Sequence, residues 1–242
     1  MRLDRYLHDL GFGSRKDIDR LLKKQRVTVD GAVVKQGAQS VSTQSLVTVD
    51  GEVLDYAPTV WLMLNKPPGV ITATKDARDK TVMDLLPERF ARMQVVPVGR
   101  LDKDTTGLLL LTNDGALAHR LMRPKSRIMK TYDIIYEETL AADAVARLAQ
   151  GIDLGDFTTA PAVLEVLEEG HARLSISEGK FHQVKRMMHE VGGVVTALRR
   201  VAIASLTLDE TLAPGEWRLL TQEELDGLRE EAEGATTPHE SL

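Results

Sequence analysis

The sequence predicts an α+β fold with a mixed sheet. Strand-length apolar segments recur along the chain with helical patterns between some of them but without strict alternation, which argues against a doubly wound parallel sheet. Two alternating segments, Val27-Thr28-Val29-Asp30-Gly31 and Val47-Thr48-Val49-Asp50-Gly51, each end in the Asp-Gly pair that closes a tight hairpin. A chain of 242 residues with 43% hydrophobic content buries roughly 70–75% of the surface its unfolded form exposes, enough for one or two domains without covalent staples.

The elements follow in order. Leu3, Leu7 and Leu10 recur at helical spacing and stop at Gly11 and Gly13. Ser14 then caps a second helix whose apolar face is Ile18, Leu21 and Leu22 and whose other face carries Lys16, Arg20, Lys23 and Lys24. The two hairpin segments come next, and Asp55 to Thr59, with Pro58, forms a short linker. Beyond it, strands are predicted at 61–65, 95–99, 108–112, 130–136, 162–167, 173–177 and 194–208, the last broken. Helices are predicted at 82–86, 114–122, 141–150, 182–191 and 221–233. The organisation expected is therefore a head at 1–57, a larger unit at 58–227 and an acidic, disordered tail at 228–242.

Charge is unevenly distributed. The net charge is −5, yet residues 1–26 hold eight basic and four acidic side chains, while residues 209–242 hold ten acidic and two basic ones. A basic head can hold phosphate whatever the overall balance, because the electrostatic footprint depends on local clustering. The absence of cysteine excludes a disulfide framework, thiolate metal sites and a thiol nucleophile, and suits a reducing cytoplasm. The N-terminus has neither a signal-peptide pattern nor an anchor, and the longest apolar run, Leu108 to Leu111, is strand-sized. No glycine-rich dinucleotide or phosphate loop is present. His182 and His189, seven apart on one predicted helix without a third ligand, read as polar packing rather than a metal site.

The densest polar cluster is Gly99-Arg100-Leu101-Asp102-Lys103-Asp104-Thr105-Thr106-Gly107. Its plainest reading is a hairpin loop whose Asp and Thr side chains cap their own backbone. A calcium loop fails, because Leu110 and Asn113 stand where ligands belong. A phosphoryl-aspartate site also fails, because Arg100 interrupts the approach from the strand and no acidic pair follows for magnesium.

Four separated motifs, LNKPPGV (64–70), GRLD with DTTGLLLLTNDG (99–115), KTY (130–132) and EGKFHQVKRMM (178–188), resemble in order and spacing the bacterial small-ribosomal-subunit pseudouridine synthases of the RsuA type, within the RsuA/RluB/RluE/RluF branch. RLDRYL, the SRKDIDRLLKK helix and VTVDG resemble the S4-like RNA-binding domain of that branch. The resemblance spans about residues 1–225. It implies an S4-like domain followed by a mixed, mainly antiparallel catalytic sheet flanked by helices. It also implies isomerisation of one rRNA uridine to pseudouridine in the cytoplasm, without cofactor or metal and away from any membrane. LAPGEWRLLTQEEL (212–225) favours 16S rRNA and a uridine of the 516 type; a 23S rRNA target and a non-catalytic ribosome-assembly factor are the alternatives. The partner implied is rRNA or a ribosomal subunit assembly intermediate, with a monomer as the default.

The resemblance also assigns roles. Asp102 inherits that of nucleophile, acting at C1′ of the target uridine by attack or as a base. Tyr132 packs on the target base, and Lys185 pairs with the catalytic carboxylate and keeps it ionised. Arg100 fills the space vacated by the flipped base or holds phosphate, and Lys66 contacts backbone phosphate or braces the loop. In the head, Arg2, Arg5, Ser14, Arg15, Lys16, Arg20 and Lys24 are the expected phosphate contacts. Ala204 and Ser205 depart from the pattern, standing where Gly and a Pro or Gly are usual.

Overall fold

Both Asp-Gly pairs adopt positive φ at both residues, 52° and 81° at Asp30-Gly31 and 53° and 83° at Asp50-Gly51, as the two-residue turn of a twisted hairpin requires. They close β1 (Val27–Val29) onto β2 (Ala32–Val33) and β3 (Val47–Val49) onto β4 (Glu52–Leu54), in a four-stranded antiparallel sheet of order β2-β1-β3-β4. These elements belong to a computed structural model that describes residues 1–42, 44–123 and 126–234. Helices α1 (Leu3–Asp9) and α2 (Arg15–Lys23) supply Leu3, Leu7, Ile18 and Leu22 to the core of this sheet, all fully buried. The Tyr6 hydroxyl donates to the Leu54 carbonyl at 2.9 Å, tying the first helix to the last strand.

Contacts divide the chain into two compact units, Met1–Val60 with Leu86–Val96, and Trp61–Leu85 with the segment from Pro97 onward. The excursion 86–96, which the sequence places with the larger unit, groups with the first. It contains α3 (Glu88–Arg92), too short for its periodicity to register. It packs so closely on Gly11 that a Cβ there would lie 2.5 Å from the Arg89 carbonyl.

The second unit is built on a nine-stranded sheet. Its main path runs β13 (Trp217–Leu219), β5 (Trp61–Lys66), β7 (Thr106–Thr112), β11 (Val194–Ile203), β8 (Lys130–Glu137), β10 (His171–Ile176) and β9 (Val163–Glu168). β6 (Val96–Val98) pairs with β7, and β12 (Leu206–Thr207) with β11. Among the strand pairings whose register is described, β7 with β11 is parallel and the others are antiparallel. Interior position explains the composition: β5 and β7 read WLMLNK and TGLLLLT and are buried almost throughout, whereas β8 alternates Lys130, Tyr132, Ile134 and Tyr136 inward. Flanking helices are α4 (Gly115–Met122), α5 (Ala144–Gln150), α6 (Gln183–Glu190) and α7 (Gln222–Gly234), with a 3₁₀ turn at Val82–Leu85.

The broken strand expected at 194–208 has its break at Ala204, whose φ is +56°, and continues as β12. One expectation is amended: residues 228–234, assigned to the tail, belong to α7, which buries Leu228 and Ala232 completely. Their spacing of four, with Leu225 three residues before Leu228, aligns an apolar stripe on an otherwise acidic helix. Residues 235–242 of that tail lie outside the described residues. Among the described residues, no helix is long and apolar enough to cross a membrane.

Candidate active site

The GRLD segment is held mainly from outside itself. Thr72 Oγ1 donates to the Leu101 carbonyl at 2.8 Å and accepts from the Leu101 amide at 3.1 Å, and the Gly69 amide donates to the Lys103 carbonyl at 2.8 Å. Lys66 Nζ donates to the carbonyls of Thr105 (2.8 Å), Pro67 (3.1 Å) and Lys103 (3.3 Å). Lys66 is therefore a brace. It is 0% exposed and unavailable to phosphate, which corrects its expected place among the RNA contacts. Burial lowers its ammonium to about 8, while the carboxylates of Asp104 and Asp102 act in the opposite sense. Lys103 Nζ adds an ion pair to Asp79 at 2.6 Å. Within the segment, the Thr105 amide closes a turn on the Asp102 carbonyl at 3.2 Å.

Gly107 ends the loop where β7 meets β11. Its φ is +95°, and a Cβ would sit 2.3 Å from the Arg200 carbonyl, so only glycine allows this parallel pairing so close to Asp102.

These constraints present Asp102 to a cavity of about 60 Å³ that Arg100, Tyr132 and Lys185 also line, with Leu101, Ile176 and Leu198 among its apolar walls. The three residues expected at the chemistry, and Arg100 expected at the RNA, therefore line one cavity. Tyr132 is 7% exposed and pairs across the sheet with Leu174 on one side and Arg200 on the other.

Lys185 departs from expectation in its partner. Its Nζ donates to Asp104 Oδ2 at 2.6 Å rather than to Asp102, and that bond holds the Asp104 carboxyl below the ordinary carboxylate range. Within ion-pair range of Asp102 stands His182 instead, its Nε2 3.7 Å from Oδ2. Packing on the helix face was the sequence reading for His182. The structure puts it at the helix cap with φ +50°, a left-handed turn that aims its ring at the pocket. It stacks on Phe181, 76% exposed, with ring centroids 3.8 Å apart. The 178–183 turn is fixed by Glu178, which accepts from the Ala160 amide (2.8 Å) and Gln183 Nε2 (2.7 Å). Gln183 Oε1 in turn accepts from the Lys180 amide at 2.9 Å.

In the first unit, Arg2, Arg5, Ser14, Arg15, Lys16, Arg20 and Lys24 are all exposed. Several are engaged: Arg2 with Asp4 (2.6 Å), Arg5 with Asp9 (2.8 Å) and Arg20 with Asp17 (3.2 Å). The Ser14 hydroxyl is committed to a capping box with Asp17, which makes it a helix cap first.

Comparison with known proteins agrees with this geometry. The RNA pseudouridylate synthase family profile matches residues 60–190 and the S4 domain profile residues 1–46. A Bacillus subtilis (strain 168) protein named "Uncharacterized RNA pseudouridine synthase YtzG" is 44% identical over 236 residues, 95% of this chain and 99% of its own. The Escherichia coli (strain K12) protein named "Ribosomal small subunit pseudouridine synthase A" is 42% identical over 229 residues, 93% of this chain and 98% of its own. A solved structure described as "Crystal structure of pseudouridylate synthase" covers 94% of this chain and 99% of its own at 35% identity, with a TM-score of 0.67. A carboxylate, a buried tyrosine and flanking cations beside a mixed sheet, in a chain that opens with an S4 domain and whose relatives match nearly end to end, lead to one assignment: the chain belongs to the RNA pseudouridylate synthase family, and it is a pseudouridine synthase with an N-terminal S4 domain.

Proposed function

We propose that this enzyme isomerises one uridine of 16S rRNA, of the 516 type, with Asp102 as the group that acts at C1′, residues 1–57 gripping the RNA and residues 58–227 performing the chemistry. The observation that carries the reading is the convergence of Asp102, Tyr132, Arg100 and Lys185 on one small pocket. The relatives named for the small ribosomal subunit support the choice of rRNA. When Asp102 attacks C1′, the C1′–N1 bond breaks as the Asp102–C1′ ester forms, uracil turns, and C5 bonds to C1′ as the ester breaks. When Asp102 acts as a base, it takes the proton of the neighbouring C2′ as N1 leaves and returns it as C5 bonds to C1′. In both, C5 then loses its proton while N1 gains one. The Tyr132 ring supports the base during the turn. Arg100, exposed at the mouth, stands where a flipped nucleotide leaves its stack. Lys185 supplies positive charge at the pocket as the carboxylate approaches the sugar, with His182 Nε2 3.7 Å from Asp102 Oδ2.

The test is tritium release from 16S rRNA labelled at C5 of uridine. The wild-type enzyme releases tritium and Asp102→Asn does not, while both bind RNA alike. Carbodiimide-stop sequencing of rRNA from a deletion strain then locates the lost pseudouridine. A loss confined to 23S rRNA overturns the 16S assignment and leaves the chemistry standing.

A further inference from the structure

Beside the Asp102 pocket, across Tyr132 and Arg100, opens a second and larger cavity of about 340 Å³. Strand geometry explains what lines it. Lys130 and Tyr132 are two apart on β8 and share a face, and Arg200 lies directly opposite Tyr132 on β11. All three side chains therefore face the same way, joined at the rim by Arg100 and Lys180.

Two of these cations are buried and, among the described residues, neither is bonded to a carboxylate. Lys130 is 4% exposed and Arg200 2% exposed. Lys130 Nζ reaches carbonyls only, Ile128 at 3.1 Å and Ser177 at 3.5 Å. Arg200 donates Nε to the Leu108 carbonyl at 2.8 Å, and its Nη2 has no partner among the described residues. The one carboxylate lining the cavity, Glu178, accepts from Ala160 and Gln183. Burial and the Arg200 charge pull the Lys130 ammonium down to about 8, Glu178 opposing them. Buried like charges persist at a cost of several kcal/mol unless something compensates them, and an orphaned guanidinium N–H adds to that cost.

We infer that this cavity is an anion subsite, and that a phosphodiester of the substrate strand next to the target uridine occupies it, held by Lys130 and the free edge of Arg200 with Arg100 and Lys180 at the rim. The inference rests on the proposed reading of the Asp102 pocket, because only a strand threading that pocket brings a backbone phosphate to the far side of Tyr132. A phosphate there pairs both buried cations at once and fixes the nucleotide beside the one being turned.

The experiment measures binding of an rRNA fragment carrying the target uridine, with the phosphates on either side neutralised one at a time as methylphosphonates. With the wild-type protein, one flanking position loses about 10- to 100-fold in affinity, the range for a hydrogen bond to a charged group. With Lys130→Met the same substitution costs less than about threefold, while the other positions cost both proteins equally. Lys130→Met also lowers the slope of log affinity against log salt by about one. The wild-type scan needs no variant, so it stands even if Lys130→Met folds poorly. A flat wild-type scan, or equal losses for both proteins at every position, overturns the inference. Inorganic phosphate protecting the wild type but not Lys130→Met from heat, together with a flat scan, assigns the cavity to a free phosphate and overturns it too. Tritium release on the same fragments is read separately: its absence, with the binding pattern intact, counts against the proposed chemistry and not against the subsite.

Discussion

Lys185 Nζ rests on Asp104, 2.6 Å from Oδ2, so the lysine that faces the pocket from α6 is held by the carboxylate two residues beyond Asp102. Asp104 is largely exposed and Lys185 half-buried, a pair that contributes a few tenths of a kcal/mol to stability, up to about 1. The pair keeps Lys185 at the cavity that Asp102 also lines, with Asp104 rather than Asp102 as its partner.

Neutralising the two partners separates their roles. Asp104→Asn keeps tritium release within about threefold of wild type, because the released ammonium turns to Asp102. Lys185→Met lowers kcat about 10- to 100-fold, the scale of one charge-assisted contact. The double variant behaves like Lys185→Met alone. Equal damage from both single changes would instead make the ion pair itself the working unit.

The buried Lys66 ammonium, titrating at about 8 against about 10.4 in an unfolded chain, costs stability wherever it is charged. As pH rises from about 8 to 10.4 the unfolded chain binds the more protons, so stability rises over that window, by on the order of 2–3 kcal/mol for this group. Urea denaturation of wild type and Lys66→Met at pH 7.5 and 10 measures it. The variant is less stable at both values, having lost a brace across three carbonyls, and its stability climbs less with pH.

Ser14 and Lys24, both expected at the RNA surface, diverge in a salt titration. Ser14→Ala removes a cap and lowers stability by about 1 kcal/mol, leaving the salt dependence of RNA binding unchanged. Lys24→Ala leaves the melting temperature in place and reduces the log–log salt slope by about one, the signature of a lost phosphate contact.

Ala204 sits at φ +56°, where a Cβ costs roughly 1–2 kcal/mol. Ala204→Gly removes that strain but adds backbone freedom to the unfolded chain. The expected outcome is a net gain of up to about 1 kcal/mol by chemical denaturation, with tritium release unaltered.

Much of this was legible in the residues. The Asp-Gly pairs, the capping serine and the uninterrupted apolar strands each express a local requirement that no distant contact overrides. What escaped depends on neighbours far along the chain. Lys66 reads as an ordinary surface lysine until the run WLMLN before it is seen to be buried on both faces, carrying the lysine inward at its end. His182 looked like helix packing because its left-handed backbone has no signature in residue type. Lys130 was the one available hint: it alternates in phase with Tyr132, Ile134 and Tyr136, so the side of β8 that buries the tyrosines also buries it. The helix at 221–233 is legible in the residues; its acidity alone argued for solvation from 228 onward, although Leu225, Leu228 and Ala232 already spell a buried stripe.

The place of β11 in the sheet bears on how this enzyme comes into being. Strands β5 and β7 form one antiparallel piece and β8, β9 and β10 another, both complete by Ile176, while the strand that joins them, Val194–Ile203, is made last of the three parts. Asp102 precedes β7 on one side of that seam and Tyr132 lies on β8 at the other. A nascent chain emerging from the ribosome thus holds its carboxylate and its aromatic platform in separate fragments until the closing strand arrives, a non-local step that is slow by nature. The residue order alone therefore keeps Asp102 and Tyr132 on separate pieces of the sheet until β11 is in place between them.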